Sequence, residues 1–119
     1  MVSIESVRNA LYKSWSLESS SKWTRENPAI GQCGVTALVV NDLLGGEILK
    51  TKCIGGWHFY NKLNGSCYDF TKEQFPKAIE YDDIPSSREE AFSDTNLHQY
   101  NALRQKVYHE LSFLNEHLL

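Results

Sequence analysis

Cys33 stands where a polar, turn-prone stretch ending in Gly31-Gln32 gives way to residues that are apolar on nearly every side of a helix. The first amides of a helix have no intrahelical partner and the macrodipole is positive there, so a thiol at this end is stabilised as the nucleophilic thiolate. His58 and Asp69 follow in the order that a Cys-His-Asp nucleophile system requires. The competing reading is plain packing, because cysteine is among the most buried residue types and a cysteine at a helix start is commonly inert. What separates the two readings is whether the chain can bring His58 and Asp69 together.

The stretch from Trp57 to Leu63, then Asn64-Gly65, then Ser66 to Phe70, answers that question. Asn-Gly between aromatic-rich runs is the strongest short hairpin signal, since both central residues of a type I′ turn need positive φ. A two-residue loop sets Leu63 opposite Ser66, Asn61 opposite Tyr68, Tyr60 opposite Asp69 and Phe59 opposite Phe70. His58 shares a face with Tyr60 and becomes the diagonal neighbour of Asp69, roughly 7–8 Å away between backbones and within side-chain reach. Phe59, Leu63, Tyr68 and Phe70 take the other face as a core layer. A slip of one residue would send His58 and Asp69 to opposite faces.

The remaining elements must hold this hairpin against the Cys33 helix. Ile4, Val7, Leu11 and Trp15 recur at helical spacing behind Ser3 as N-cap, giving an amphipathic first helix. Ser16 to Ile30 lapses into an irregular loop in which Trp23 plugs onto the core and Pro28 turns Asn27 away from helix. The second helix, from Cys33 to Leu44, has almost no polar face and is therefore central; Gly45-Gly46 stops it. Glu47 to Ile54 reads as a first strand. After the hairpin, Pro76 allows at most one helical turn, Ile79-Glu80-Tyr81 reads as a short edge strand, Asp82 to Ser87 as a polar turn and Arg88 to Phe92 as a short helix. A final helix from Asp94 or Thr95 to His117 carries Leu97, Tyr100, Leu103, Val107, Leu111, Leu114 and Leu118 at helical spacing. His98, His109 and His117 fall on no common face of it and read as surface residues.

A length of 119 residues with 41% apolar and 23% charged residues suits one globular domain, residues 1–119. The net charge of −3 and the lack of a basic block argue against nucleic acid as partner. No run approaches membrane-spanning length, and Glu5, Arg8 and Lys13 interrupt the N-terminal segment where a signal peptide would be apolar. Cys33, Cys53 and Cys67 form neither an even set nor a CxxC pair, which suits a reducing, cytoplasmic setting. With His58 they are zinc donors in type, yet they lack the close paired spacing of structural sites, so no metal and no cofactor are expected.

The segments NPAIGQCGVTALVV, GGEILK, HFYNKLNG and YDFTKEQF together resemble the small bacterial YunG family, over roughly residues 23 to 75. More distantly, a cysteine opening a central helix with a histidine and an aspartate on adjacent strands resembles the papain-like superfamily, especially its transglutaminase-like and peptidase C39-like branches. That second resemblance implies an α+β fold: a papain-like core in which the central helix starting at Cys33 packs on a small antiparallel sheet, with helices at both ends. It also implies Cys33 as nucleophile, His58 as general base and acid, and Asp69 as the group that orients the imidazole. The expected activity is a cysteine hydrolase or acyltransferase acting on an amide or thioester of a small molecule or peptide. Oxyanion donors would be the Cys33 amide with Asn27, which stands where papain-like enzymes carry a glutamine, or Gln32 in its place. Trp57, beside His58, is a substrate-facing candidate that would also narrow the cleft. The alternative is a non-catalytic binding protein on the same scaffold, which the short chain favours. The oligomeric state is left open by the sequence.

Overall fold

The structure, a computed structural model, describes residues 2–118, with side-chain surroundings over residues 2–112. Helix α1 spans Ile4–Ser14, and its first turn is closed by Ser3, whose hydroxyl accepts the Ser6 N–H. Helix α2 spans Cys33–Leu44, and all eight residues from Cys33 to Val40 are buried, as a helix without a polar face must be. Gly45 ends it at a φ of 72°, a conformation that costs glycine nothing.

Four antiparallel strands follow: β1 (Glu47–Cys53), β2 (Gly56–Leu63), β3 (Ser66–Tyr68) and β4 (Ile84–Pro85), in the spatial order β3-β2-β1-β4. The β2–β3 turn is the Asn64-Gly65 type, with φ of 51° and 82°, and the register pairs Leu63 with Ser66 and Asn61 with Tyr68. The ladder stops at Tyr68. Tyr60 therefore has no ladder partner in Asp69, nor Phe59 in Phe70, because Asp69 turns its carboxylate onto the Thr71 N–H and the chain enters a 3₁₀ turn at Lys72–Gln74. A short edge strand is present, but at Ile84–Pro85 rather than over Ile79 to Tyr81. At the latter the backbone is held by a side chain instead: Thr51 Oγ1 donates to Glu80 O and accepts the Asp82 N–H. Helix α3 occupies Arg88–Phe92, capped by Ser87. Helix α4 runs over Leu97–Leu118 and starts later than the sequence suggests, since Asn96 caps it by accepting the Gln99 N–H.

Two apolar clusters tie the layers. One joins Val7 and Leu11 of α1, Val35, Val39 and Val40 of α2 and Leu103, Val107 and Leu111 of α4 with Leu63 and Phe70; the other joins Cys33, Ala37 and Leu38 with Ile48, Phe59 and Ala91. Helices thus cover the sheet face that carries Phe59 and Asn61, where Asn61 donates to Ala37 O. The face that carries His58 and Tyr60 is covered by the irregular chain over 69–83. Trp23 packs against the first cluster, as the loop reading required. Leu97, by contrast, is exposed, and Leu114, Leu118 and His117 lie outside the described side chains. His98 and His109 are exposed.

The two ends of the α4 stripe should therefore differ sharply. Leu103→Ala removes a fully buried side chain between α1 and α4 and is expected to cost about 2–5 kcal/mol. Leu97→Ala should stay within about 0.5 kcal/mol, both measured by urea unfolding.

Candidate active site

The site begins with the hairpin. Asp69 is the first residue past the ladder, and its Oδ2 meets His58 Nε2 at 2.7 Å, with the two side chains only 6% and 2% exposed. A carboxylate so far from water must be hydrogen-bonded. Tyr81 donates its hydroxyl to the same Oδ2 at 2.7 Å, and Thr71 supplies both its N–H and its hydroxyl to Oδ1 at 3.2 Å. The imidazole is boxed by Phe75 edge-on, ring centroids 4.8 Å apart, and by Tyr60 stacked at 6.1 Å. With Nε2 committed to Asp69, Nδ1 is the ring nitrogen left for chemistry.

Cys33 reaches the same place from the opposite layer. Since β3 ends at Tyr68, the Phe59 stretch of β2 is a free edge, and the Phe59 N–H serves the Cys33 sulfur. Cys33 and His58 line one cleft of about 310 Å³, together with Trp57, Gln74, Lys22 and Asp94. The thiol donates to Asp94 Oδ2 at 3.4 Å, and that oxygen also accepts the Gly34 N–H at 3.1 Å. Burial first, and the Asp94 charge second, push the Cys33 thiol up from 9.0 to about 12, against the pull of the Phe59 N–H. In this state Cys33 is a thiol, whereas a helix N-terminus alone would favour the thiolate.

The remaining sequence candidates divide. Asn27 donates to Gln74 O at 3.4 Å, and Gln32 is fully buried with its amide toward Ser16 O at 3.4 Å, so neither side chain lines the cleft. Gln74 is in the cleft instead: its Oε1 accepts the Gly31 N–H at 3.4 Å and its Nε2 donates to Thr71 Oγ1 at 3.0 Å, joining the loop before Cys33 to the Asp69 shell. Trp57 lines the cleft and is 41% exposed, with Lys50 Nζ 4.3 Å and Lys52 Nζ 5.1 Å from its ring centroid. Cys67 is exposed and leans toward Asp83 outside the cleft, while Cys53 lies at the cleft. Among the described residues, no three His, Cys, Asp or Glu side chains are grouped to hold a metal ion.

Thr71 was readable in principle, since an aspartate side chain bonding the amide two residues on is a common local turn. Asp94, Tyr81 and Gln74 carry no such signal: Asp94 is 61 residues from Cys33.

An α+β protein with a central buried helix on a four-stranded antiparallel sheet, and a thiol in one cleft with the imidazole of a buried His–Asp pair, is the class these features define. The YunG protein family model matches residues 3–112, and the chain belongs to this family. It is 56% identical over 113 residues to the uncharacterized protein YunG of Bacillus subtilis (strain 168), covering 95% of this chain and 98% of that relative. No solved structure matches the chain.

The raised thiol has a consequence for stability. In the unfolded chain Cys33 ionises near 9.0, whereas in the folded protein it keeps its proton to about 12. Folding therefore loses stability as pH rises through that window, because the unfolded state alone gives up the proton. Thermal midpoints recorded between about pH 8 and 11 should fall less steeply in Cys33→Ala than in the parent.

Proposed function

We propose that the protein is a cysteine-dependent hydrolase or acyltransferase with a papain-like arrangement of Cys33, His58 and Asp69. The observation that carries the reading is the buried 2.7 Å contact between His58 Nε2 and Asp69 Oδ2 at the wall of the cleft that holds Cys33. Burying a carboxylate under four donors is a large desolvation cost for a fold to meet unless the imidazole is being oriented.

In the step this supports, the Cys33 thiol passes its proton to His58 Nδ1 as the sulfur bonds to an acyl carbon. The carbonyl electron pair moves to oxygen, where backbone amides at the start of α2 receive it. Collapse expels an amine or thiolate, which takes the proton from His58. Water, or another nucleophile deprotonated by His58, then releases the acyl group and restores the thiol. The substrate class is an amide or thioester of a small molecule or peptide. The three free thiols suit a reducing compartment, and among the described residues no helix is long and apolar enough to cross a membrane.

A second reading keeps the cleft for binding without turnover. The thiol pushed up to about 12 and held by Asp94 favours it, because a protonated sulfur is a poor nucleophile.

Acylation separates the two. An activated aryl thioester offered to the wild type should leave an acyl group on Cys33, located by peptide mass mapping. Cys33→Ala should abolish it, and His58→Ala should slow it by roughly 10²–10⁴. No adduct in the wild type, or equal acylation of Cys33, Cys53 and Cys67, would support the binding protein instead.

A further inference from the structure

The α3–α4 connection brings Asp94 to the mouth of α2, and three observations show that this approach is built into the fold. Asp94 Oδ2 takes the Cys33 thiol hydrogen at 3.4 Å and the Gly34 N–H at 3.1 Å with one oxygen. Gly34 makes room for it: a Cβ there would lie 2.5 Å from Asp94 Oδ2 and 2.9 Å from Ala91 O, so a larger residue would push α3 and its loop away. Ala91, the α3 residue beneath the loop, is completely buried against Cys33, Ala37 and Leu38, and the Asp94 N–H is fixed on Ala91 O at 3.1 Å.

We propose that Asp94 is a fourth member of the Cys33 site, a brake whose carboxylate holds the thiol hydrogen and occupies the Gly34 N–H until an incoming acyl group displaces it. This rests on the acyl-transfer reading above and supplies its missing element, control of the nucleophile. A free helix-start N–H beside the sulfur is where a developing oxyanion needs a donor. Asp94 fills that place with a carboxylate oxygen, the same chemistry in a resting form. A substrate carbonyl that takes over the Gly34 N–H removes one of the two bonds that seat Asp94, freeing the thiol to turn its hydrogen toward His58. Substrate binding and nucleophile activation are thereby coupled through one oxygen atom, and the sulfur stays protonated when the cleft holds no substrate.

The charged groups around the sulfur are few. Asp94 touches it from the α3–α4 loop, His58 of β2 lines the same cleft with Asp69 behind it, and Lys22 acts on Asp94 from the loop before α2. Burial raises the Asp94 carboxyl, while the Cys33 and Gly34 donors, Lys22 and His58 oppose that rise.

The test is the rate of iodoacetamide alkylation at Cys33 as a function of pH, read by peptide mass mapping, with Cys53 and Cys67 of the same molecules as internal references. In the wild type the rate should climb tenfold per pH unit from about 6 to 10 without levelling, as for a thiol that ionises above that range. Asp94→Asn, which keeps the shape and removes the charge but leaves the thiol buried, should label at least about tenfold faster at pH 7.5 and bend toward a plateau at a lower pH than the wild type. Asp94→Glu, which keeps a carboxylate, should stay slow, and serves as the folded control. A rate in Asp94→Asn that is unchanged, or that rises equally at every pH and so reports only wider access, overturns the proposal. Combining Asp94→Asn with His58→Ala separates it from the acyl-transfer reading. Acceleration that persists without His58 leaves the brake standing and removes the catalytic base. Labelling that depends on His58 but not on Asp94 keeps the catalytic pair and removes the brake.

Discussion

The buried carboxylate of Asp69 is the constraint around which one whole side of the molecule is arranged. A carboxyl group only 6% exposed must be answered by hydrogen bonds, and it receives four: from His58 Nε2, the Tyr81 hydroxyl and both the amide and hydroxyl of Thr71. Each donor fixes a different segment. Thr71 starts the 3₁₀ turn that carries Gln74 to the loop before Cys33, and Tyr81 pins the long irregular return over 69–83 onto the sheet, edge-on to Tyr60. That return covers the His58 face and keeps water from the imidazole. Without the carboxylate, these donors would have no buried acceptor and this segment would lose its anchor.

The other side of the site depends on an ending. β3 is only three residues long, so on that side β2 has no strand partner ahead of Asn61, and Cys33 at the start of α2 packs against Phe59 in this stretch. The sulfur of Cys33 thereby belongs to the helix layer yet reaches round to the cleft that His58 lines from the opposite face. Its protonation is set by its immediate neighbours. The Phe59 N–H favours the thiolate, but burial and the Asp94 carboxylate outweigh it, so the resting sulfur keeps its hydrogen.

Much of this was legible in the residues because the strongest signals were local. Asn64-Gly65 dictates a two-residue turn and the turn dictates the register up to Asn61–Tyr68, which leaves Asp69, one residue past the ladder, within reach of His58. The unbroken apolar run from Val35 to Val40 likewise marks α2 as central, and Ser3 marks the start of α1. What escaped depends on contacts between distant segments. Nothing near Asp94 in sequence points to Cys33, and nothing in Asn27 or Gln32 reveals that their amides are spent on Gln74 O and Ser16 O. The edge strand was displaced by a few residues because the Thr51 hydroxyl, a side-chain competitor invisible to alternation patterns, captured Glu80 and Asp82. Leu97 matched the helical stripe yet lies exposed, because periodicity assigns a face but not where along the helix the neighbouring layer ends.

The central claim, that Asp69 fixes the proton of His58 on Nε2 and leaves Nδ1 bare for the thiol, can be read directly from the ring nitrogens. Long-range ¹H–¹⁵N correlation of the neutral His58 imidazole should show a protonated, pyrrole-type Nε2 and an unprotonated, pyridine-type Nδ1 in the wild type. Asp69→Asn should abolish that preference. A hydrogen on Nδ1 in the wild type, or a tautomer distribution that Asp69→Asn leaves untouched, would contradict the account.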